Sequence, residues 1–281
     1  MRRFCGKLRA MPESLPPYTV KAVNTSTDSD NKIHDDATAR RYGFAGGLVP
    51  GVTVYAYLTE PLVEAFGPAW LQRGTASVKF VKPVLDGEEV TVTGEITARD
   101  PQGGTTVSVR AITRSTGECA TLTATLHAGS PTPLNLARYG EAPLPAEREP
   151  GTRAYFDAHE TLGTFTVRYD AAQAEDYVAS VSDSLPIYRG NAGWVHPAFF
   201  THIGNRCLRT NVVIGPWIHI GSVVRHLGGA RVGDTLAGRA RVRSLWEKKG
   251  RDFVELDIAI LANGRPVAHV LHSAIFRLPT P

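Results

Sequence analysis

Cysteine is scarce in this 281-residue chain: Cys5, Cys119 and Cys207 are the only three, and none forms a CxxC pair. An odd, widely spaced set excludes a disulfide framework and a zinc knuckle, and predicts a reducing, cytoplasmic setting. No apolar run approaches the roughly 18 residues that a membrane helix needs, so no membrane partner is expected. No Gly-x-Ser-x-Gly elbow is present and no cysteine has activating neighbours, which leaves no signal for nucleophilic catalysis. Charge of one sign is lacking too, with 31 basic residues against 27 acidic ones, a net +4. Much of that excess lies in residues 1–13, where Arg2, Arg3, Lys7 and Arg9 face only Glu13. No apolar core follows this basic start, so it does not read as a secretory signal, and a disordered tail is predicted over 1–14. The other basic residues form no stripe and no aromatic interleaving, so no nucleic-acid partner is expected. His269 and His272 are three apart in a strand pattern, point to opposite faces and make a poor metal pair. No metal and no cofactor is implied. The run Gly43-Phe44-Ala45-Gly46-Gly47 lacks the Lys-Ser/Thr ending of a phosphate loop and reads as a flexible turn.

What is present is the material of a folded protein. Hydrophobic residues make up 42% and charged residues 21%, which excludes a disordered chain. The length suits two domains and allows a large core without staples. The segment 133–152, with four prolines and little periodicity, reads as a linker in which Leu134 and Leu136 can dock on a neighbour.

Each side of that linker carries the same order of elements. Tyr18-Thr19-Val20-Lys21 is echoed by Phe165-Thr166-Val167-Arg168. A helical pattern over 49–66 is followed by strand patterns near 76–82, 88–99, 105–114 and 118–128. In the second half a helical pattern over 195–208 is followed by strands near 219–227, 234–246, 252–262 and 266–277. Asn263-Gly264 marks a hairpin turn. A constant offset of 146 places Val49 on Val195, Val78 on Val224 and Gly87 on Gly233. The fold class is therefore α+β: a duplicated unit, each copy with one long helix packed on an antiparallel sheet. In the first helix Val52, Tyr55, Ala56, Thr59, Leu62, Val63 and Phe66 give one broad face to bury; Phe199, Phe200, Ile203, Cys207 and Leu208 do so in the second. Pro50 and Pro197 stand where a first turn tolerates a missing N–H.

The chemistry is concentrated in Asp28-Ser29-Asp30-Asn31-Lys32-Ile33-His34-Asp35-Asp36, followed by Gly43-Phe44 and Leu48-Val49-Pro50-Gly51. This stretch resembles the signature of the MaoC-like, R-specific enoyl-CoA hydratases and dehydratases. Asn31, Ile33, His34, Asp36, Gly43, Phe44 and Gly51 match in order and nearly in spacing. The resemblance implies a double hotdog fold, two repeats each with a long central helix wrapped by an antiparallel β-sheet. It also implies an acyl thioester of coenzyme A or an acyl carrier protein as substrate, and water added or removed at its α,β double bond. The sequence departs from the pattern at Ser29, where the family has its catalytic Asp, with Asp28 and Asp30 on either side. Lys32 and Pro50 replace a proline and a histidine of the signature. The second half keeps Asp183 and Pro186-Ile187 but has Tyr188 in place of the histidine, and His196 stands where the family has the histidine of its His-Gly pair.

The expected catalytic set is His34 as general acid/base, Asp30 as its partner and Asn31 as a donor orienting water or substrate. A histidine titrates near neutrality and can serve in either proton step. Gly51 would offer an oxyanion N–H at a helix start, where developing negative charge is stabilised. Gly47, Tyr55, Asp183 and His196 complete the expected substrate-binding set, with Tyr55, Phe66, Phe199 and Phe200 at the floor of an acyl tunnel. Bland alternatives stand beside these roles. Asp35 and Asp36 read as caps or surface residues. Asp30 is either a shifted catalytic carboxylate or a solvated loop residue. Tyr55, Phe199 and Phe200 are core residues first, while Asp183 and His196 are either vestigial or part of the site. Lys32, Arg40 and Arg41 are candidates to meet coenzyme A phosphates. A thioesterase using Glu60 or Glu64, a non-catalytic thioester-binding scaffold, and an isomerase or cyclase on the same fold are the competing functions. A homodimer is possible as well as a monomer, since two repeats in one chain mimic the family's basic dimer.

Overall fold

The computed structural model describes residues 13–27 and 29–279. Most of the expected tail, and Asp28, lie outside the described residues. Glu13 and Ser14 do not belong to a disordered tail. The Ile96 N–H donates to the Glu13 carbonyl at 2.7 Å, and Ser14 forms a bridge with Glu95.

The first half runs β1 (Tyr18–Lys21), α1 (Asp36–Arg41), α2 (Gly51–Phe66), α3 (Pro68–Arg73), β2 (Gly74–Phe80), β3 (Glu89–Arg99), β4 (Thr105–Thr113) and β5 (Gly117–Leu126). The second runs β6 (Glu149–Pro150), α4 (Arg153–Ala158), β7 (Phe165–Arg168), α5 (Ala171–Ser180), α6 (Pro197–Arg209), β8 (Val212–Val213), β9 (Ile218–His226), β10 (Thr235–Lys248), β11 (Arg251–Ala262) and β12 (Arg265–Arg277). Every long strand falls within three residues of its sequence expectation. The patterning did not announce α5, because only Ala174, Tyr177 and Val178 of its ten residues are buried, too few to raise a periodic signal.

Ten strands form one sheet in the order β1-β3-β4-β5-β2-β9-β12-β11-β10-β7, and the pairings are antiparallel throughout. The order is a palindrome of equivalents, with β2 and β9 at its centre. There Ser77 lies opposite Val223, and these two residues are separated by the same 146 positions as the repeat. The duplication thus closes into one continuous sheet, with each half supplying five of its strands.

Helix α2 packs on β1, β3, β4, β5 and β9, α6 packs on β7 to β12, and the two helices pack on each other. That last contact changes one expectation. The pattern in α2 predicts a single buried face, yet every residue over 52–63 is buried. One side of α2 meets the sheet and α6 covers the other, so even Thr53, Thr59 and Glu60 are enclosed. Each fully buried aromatic or aliphatic side chain in this layer contributes about 1.5–3 kcal/mol of transfer free energy.

The linker packs as well as connects. Leu134, Leu136 and Tyr139 lie on Ala237, Ala259 and Leu261, covering the outer face of β10 and β11. This is why β11 is buried on both faces rather than alternating. His269 and His272, on opposite faces as the period of two requires, have separate partners. His269 donates to Asp257 at 2.7 Å on the outer face, while His272 lies against α6.

Candidate active site

The loop between β1 and α2 is held in place mainly by its own polar side chains. Asp35 caps α1 by accepting the Thr38 N–H at 2.9 Å. Asp36 accepts the Gly47 N–H at 2.8 Å and pairs with Arg40 at 2.9 Å. Asn24 donates to the His34 carbonyl at 2.9 Å, and the Leu48 N–H donates to the Ile33 carbonyl at 3.3 Å. These contacts fold the glycine-rich turn back onto the Lys32–His34 turn. Gly47 is required there, since a Cβ at that position would lie 2.2 Å from the His34 carbonyl oxygen.

The His34 ring is fixed at both nitrogens. Nδ1 is 2.7 Å from the Leu48 carbonyl, an acceptor only, so Nδ1 carries the proton and donates. Nε2 is then the acceptor, taking an N–H of the Asn31 amide at 3.3 Å. Asn31 is itself locked, donating to the Trp217 carbonyl at 2.9 Å and accepting the Trp217 N–H at 3.1 Å. Burial lowers the His34 pKa, and the Arg209 charge adds to that, against the hydrogen bond to Leu48. The neutral imidazole, with a basic Nε2, is the favoured form.

His34 lines two cavities. A cavity of about 600 Å³ is lined by His34, Asn31, the stretch 48–51, Phe80, Trp217 and His219, among others. A second of about 210 Å³ shares His34, Asn31, Pro50, Asn205 and Trp217 and extends towards Ser29, His202, Arg206 and Arg209. Gly51 opens α2, and its N–H is among the helix-start donors with no intrahelical partner. The missing side chain matters: a Cβ on Gly51 would meet Phe80 at 3.0 Å and His219 at 3.1 Å. A half-buried base and a free helix N-terminus therefore share one cavity wall. That arrangement can move a proton beside a carbonyl that gains negative charge.

The structure brings His34, Asn31 and Gly51 together, but not the rest of the expected set. Asp30 is exposed and pairs with Arg209 at 3.3 Å; it makes no hydrogen bond to His34. Gly47 cannot serve as an oxyanion donor, because its N–H is taken by Asp36. Tyr55 is fully buried in the core and, like Phe66, Phe199 and Phe200, lines neither cavity. Asp183 and His196 also lie apart from both cavities. His196 caps α6 by accepting the Ala198 N–H at 3.1 Å through Nδ1, so its Nε2–H donates to Asp183 at 3.1 Å in a buried pair. The Asp/His combination that spacing denied to both halves thus exists in the second, enclosed and used to start a helix. Glu60 and Glu64 line neither cavity; burial, with the Asp183 and Glu64 charges, pushes the Glu60 carboxyl up to about 7.

Phe80, Asn205, Trp217 and His219 carried no signal in the sequence. Three of them come from the second half, and only the fold places them beside His34.

No protein-family model matches the chain, and no curated protein matches it by sequence. Solved structures do match it, over nearly its whole length. One described as a MaoC domain dehydratase from Chloroflexus aurantiacus J-10-fl superposes with a TM-score of 0.65 at 9% identity, covering 94% of this chain and 95% of that one. A conserved hypothetical protein of Mycobacterium tuberculosis with a double hotdog fold gives 0.62 at 15% identity, over 93% and 96%. One described as an oleoyl thioesterase from Lactobacillus plantarum gives 0.55 at 12% identity, over 96% and 98%. The fold is the double hotdog that the motif resemblance implied.

Proposed function

We propose that this protein is a hydratase or dehydratase acting at the α,β double bond of an acyl thioester. The observation that supports it most directly is the His34 ring, held as the Nδ1–H tautomer by Leu48, with His34 lining the same cavity as the start of α2. In hydration, Nε2 exchanges its long contact with the Asn31 N–H for water and takes a proton from it as the water oxygen bonds to the β-carbon. The displaced electron pair moves to the thioester oxygen, which the Gly51 N–H and the α2 N-terminus stabilise. The enolate then collapses, and its α-carbon takes the proton from the His34 imidazolium. Water is added, the histidine returns to neutral, and dehydration is the reverse. Asn31 orients the ring. The exposed cations Arg41, Lys82 and Arg251 line the larger cavity and suit the phosphates of a coenzyme A thioester.

A thioesterase on the same fold would need a carboxylate from α2 at the thioester, and neither Glu60 nor Glu64 lines a cavity. The test is turnover of crotonyl-CoA and 3-hydroxybutyryl-CoA, followed by enoyl absorbance, with wild type beside His34→Ala. Loss of general acid/base catalysis is worth about 10²–10⁴-fold. Wild-type turnover in a folded His34→Ala protein overturns the assignment. Release of free thiol without change in enoyl absorbance does so in favour of a thioesterase.

A further inference from the structure

Behind the cavity wall lies a chain of hydrogen bonds that this reading leaves unused. His219 Nε2 is 3.1 Å from the Gly221 carbonyl and 2.8 Å from Ser222 Oγ. Ser222 Oγ is 3.1 Å from His272 Nδ1, and His272 Nε2 is 2.9 Å from Asn205 Oδ1. His219, Ser222 and His272 are buried. The His219 and His272 rings stack with centroids 4.1 Å apart, and His272 fits against α6 only because residue 204 is glycine, where a Cβ would lie 2.8 Å from its Nδ1.

The direction of every proton in the chain follows from one fixed acceptor. The Gly221 carbonyl can only accept, so His219 Nε2 carries the proton. Ser222 Oγ receives a share of that bond, and its own buried O–H then has His272 Nδ1 as its acceptor. His272 must therefore hold its proton on Nε2 and donate to Asn205. That donation assigns Oδ1 to the buried side of the Asn205 amide. Nδ2 makes no hydrogen bond among the described residues, and Asn205 lines both cavities together with His34.

Resting on the hydratase reading, we propose that Asn205 is a second catalytic residue, with its Nδ2–H donating to the β-oxygen of the substrate. In dehydration that oxygen is the departing hydroxyl. His34 Nε2 takes the α-proton, the C–O bond breaks with its electron pair on oxygen, and the His34 imidazolium returns the proton to that oxygen as water leaves. Asn205 holds the oxygen throughout and stabilises its developing negative charge, work that the Asp missing at Ser29 does not do here. His272 and Ser222 are positioning residues, since they contact each other, His219, Asn205 and the core and line neither cavity. The second group of the site is thus contributed by the second repeat, through α6.

The test is Asn205→Asp, which keeps the shape and the acceptor for His272 but removes both donors. The expected result is a fall in kcat of about 100-fold, the scale for losing one preorganised donor. The decisive readout is a split in KM. The enoyl thioester has no β-oxygen, so KM for crotonyl-CoA stays near wild type while KM for 3-hydroxybutyryl-CoA rises. A merely structural role would shift both alike. Ser222→Ala, checked for an unchanged melting temperature, frees the His272 tautomer and should show the same split with a smaller fall in kcat. Wild-type kcat and KM in both directions for Asn205→Asp overturn the inference while the hydratase reading stands. An equal change in both KM values also overturns it. A wild-type protein that turns over neither thioester overturns the hydratase reading and this inference with it.

Discussion

Asn31 and Trp217 hydrogen-bond to each other twice, side chain to backbone in both directions, across 186 positions of sequence. The amide completes the pairing that a neighbouring strand would otherwise give Trp217, and its nitrogen also faces His34 Nε2 at 3.3 Å. The latch ties the motif loop of the first repeat to the start of β9 in the second. The candidate base is therefore oriented by a residue whose own position depends on both halves. Asn31→Ala should leave the buried Trp217 N–H and C=O unpaired and cost about 1–3 kcal/mol in stability. Denaturant unfolding measures that loss. Activity should fall further than the stability loss explains, because His34 loses its orienting contact.

The His34 pKa lies below its ordinary 6.5, chiefly through burial. As a base it works when neutral, so kcat/KM should hold as pH falls through 6.5 and decline only at lower pH. Arg209 also lowers this pKa, so Arg209→Gln should move the acid limb to higher pH. A limb unmoved by that change would show that another group controls it. The linkage has a matching sign. A histidine with a depressed folded pKa contributes stability above its unfolded value, and that contribution is lost as pH falls through the window below 6.5.

Gly47→Ala should fail and Gly129→Ala should not. At Gly47 the added methyl would meet the His34 carbonyl at 2.2 Å, a backbone atom that cannot turn aside. Forced overpacking of this kind costs about 1–3 kcal/mol, and here it displaces the loop that carries His34. A Cβ at Gly129 has nothing within 4 Å and no positive φ to oppose it. Melting temperature and turnover of the two variants, measured side by side, check the contrast.

Asp257 holds the linker to the sheet. Its carboxylate accepts from Tyr139 and His269 at 2.7 Å each and from Arg241 at 3.3 Å. Burial would raise its pKa, but the hydrogen bonds from His269 and Tyr139, with the charges beside it, outweigh that and hold it at about 2. The depressed value contributes stability above the unfolded carboxyl value of about 4, and the contribution disappears as pH falls from there to about 2. Tyr139→Phe removes a bond to a charged acceptor and should cost about 1.5–3 kcal/mol at neutral pH. The gap between variant and wild type in chemical unfolding should narrow as pH approaches 2.

Much of the fold is legible in the sequence because it depends on local rules. A period of two marks strands such as β3 and β4, a period near 3.6 marks α2 and α6, and the 146-residue offset announces the duplication. His34, Asn31 and Gly51 were legible for a similar reason: they lie within one short motif whose internal spacing the loop preserves. The tertiary structure decided what spacing cannot express. It set Asp30 against Arg209 and out of reach of His34. It enclosed Asp183 and His196 as a helix cap, and it brought Asn205, Trp217 and His219 from the second repeat to the cavity. A carboxylate one residue out of place in a loop looks much the same in a sequence whether it faces a base or the solvent. Which of the two it faces is settled by packing between residues far apart in the chain, here the contact of α2 with α6 and of β2 with β9.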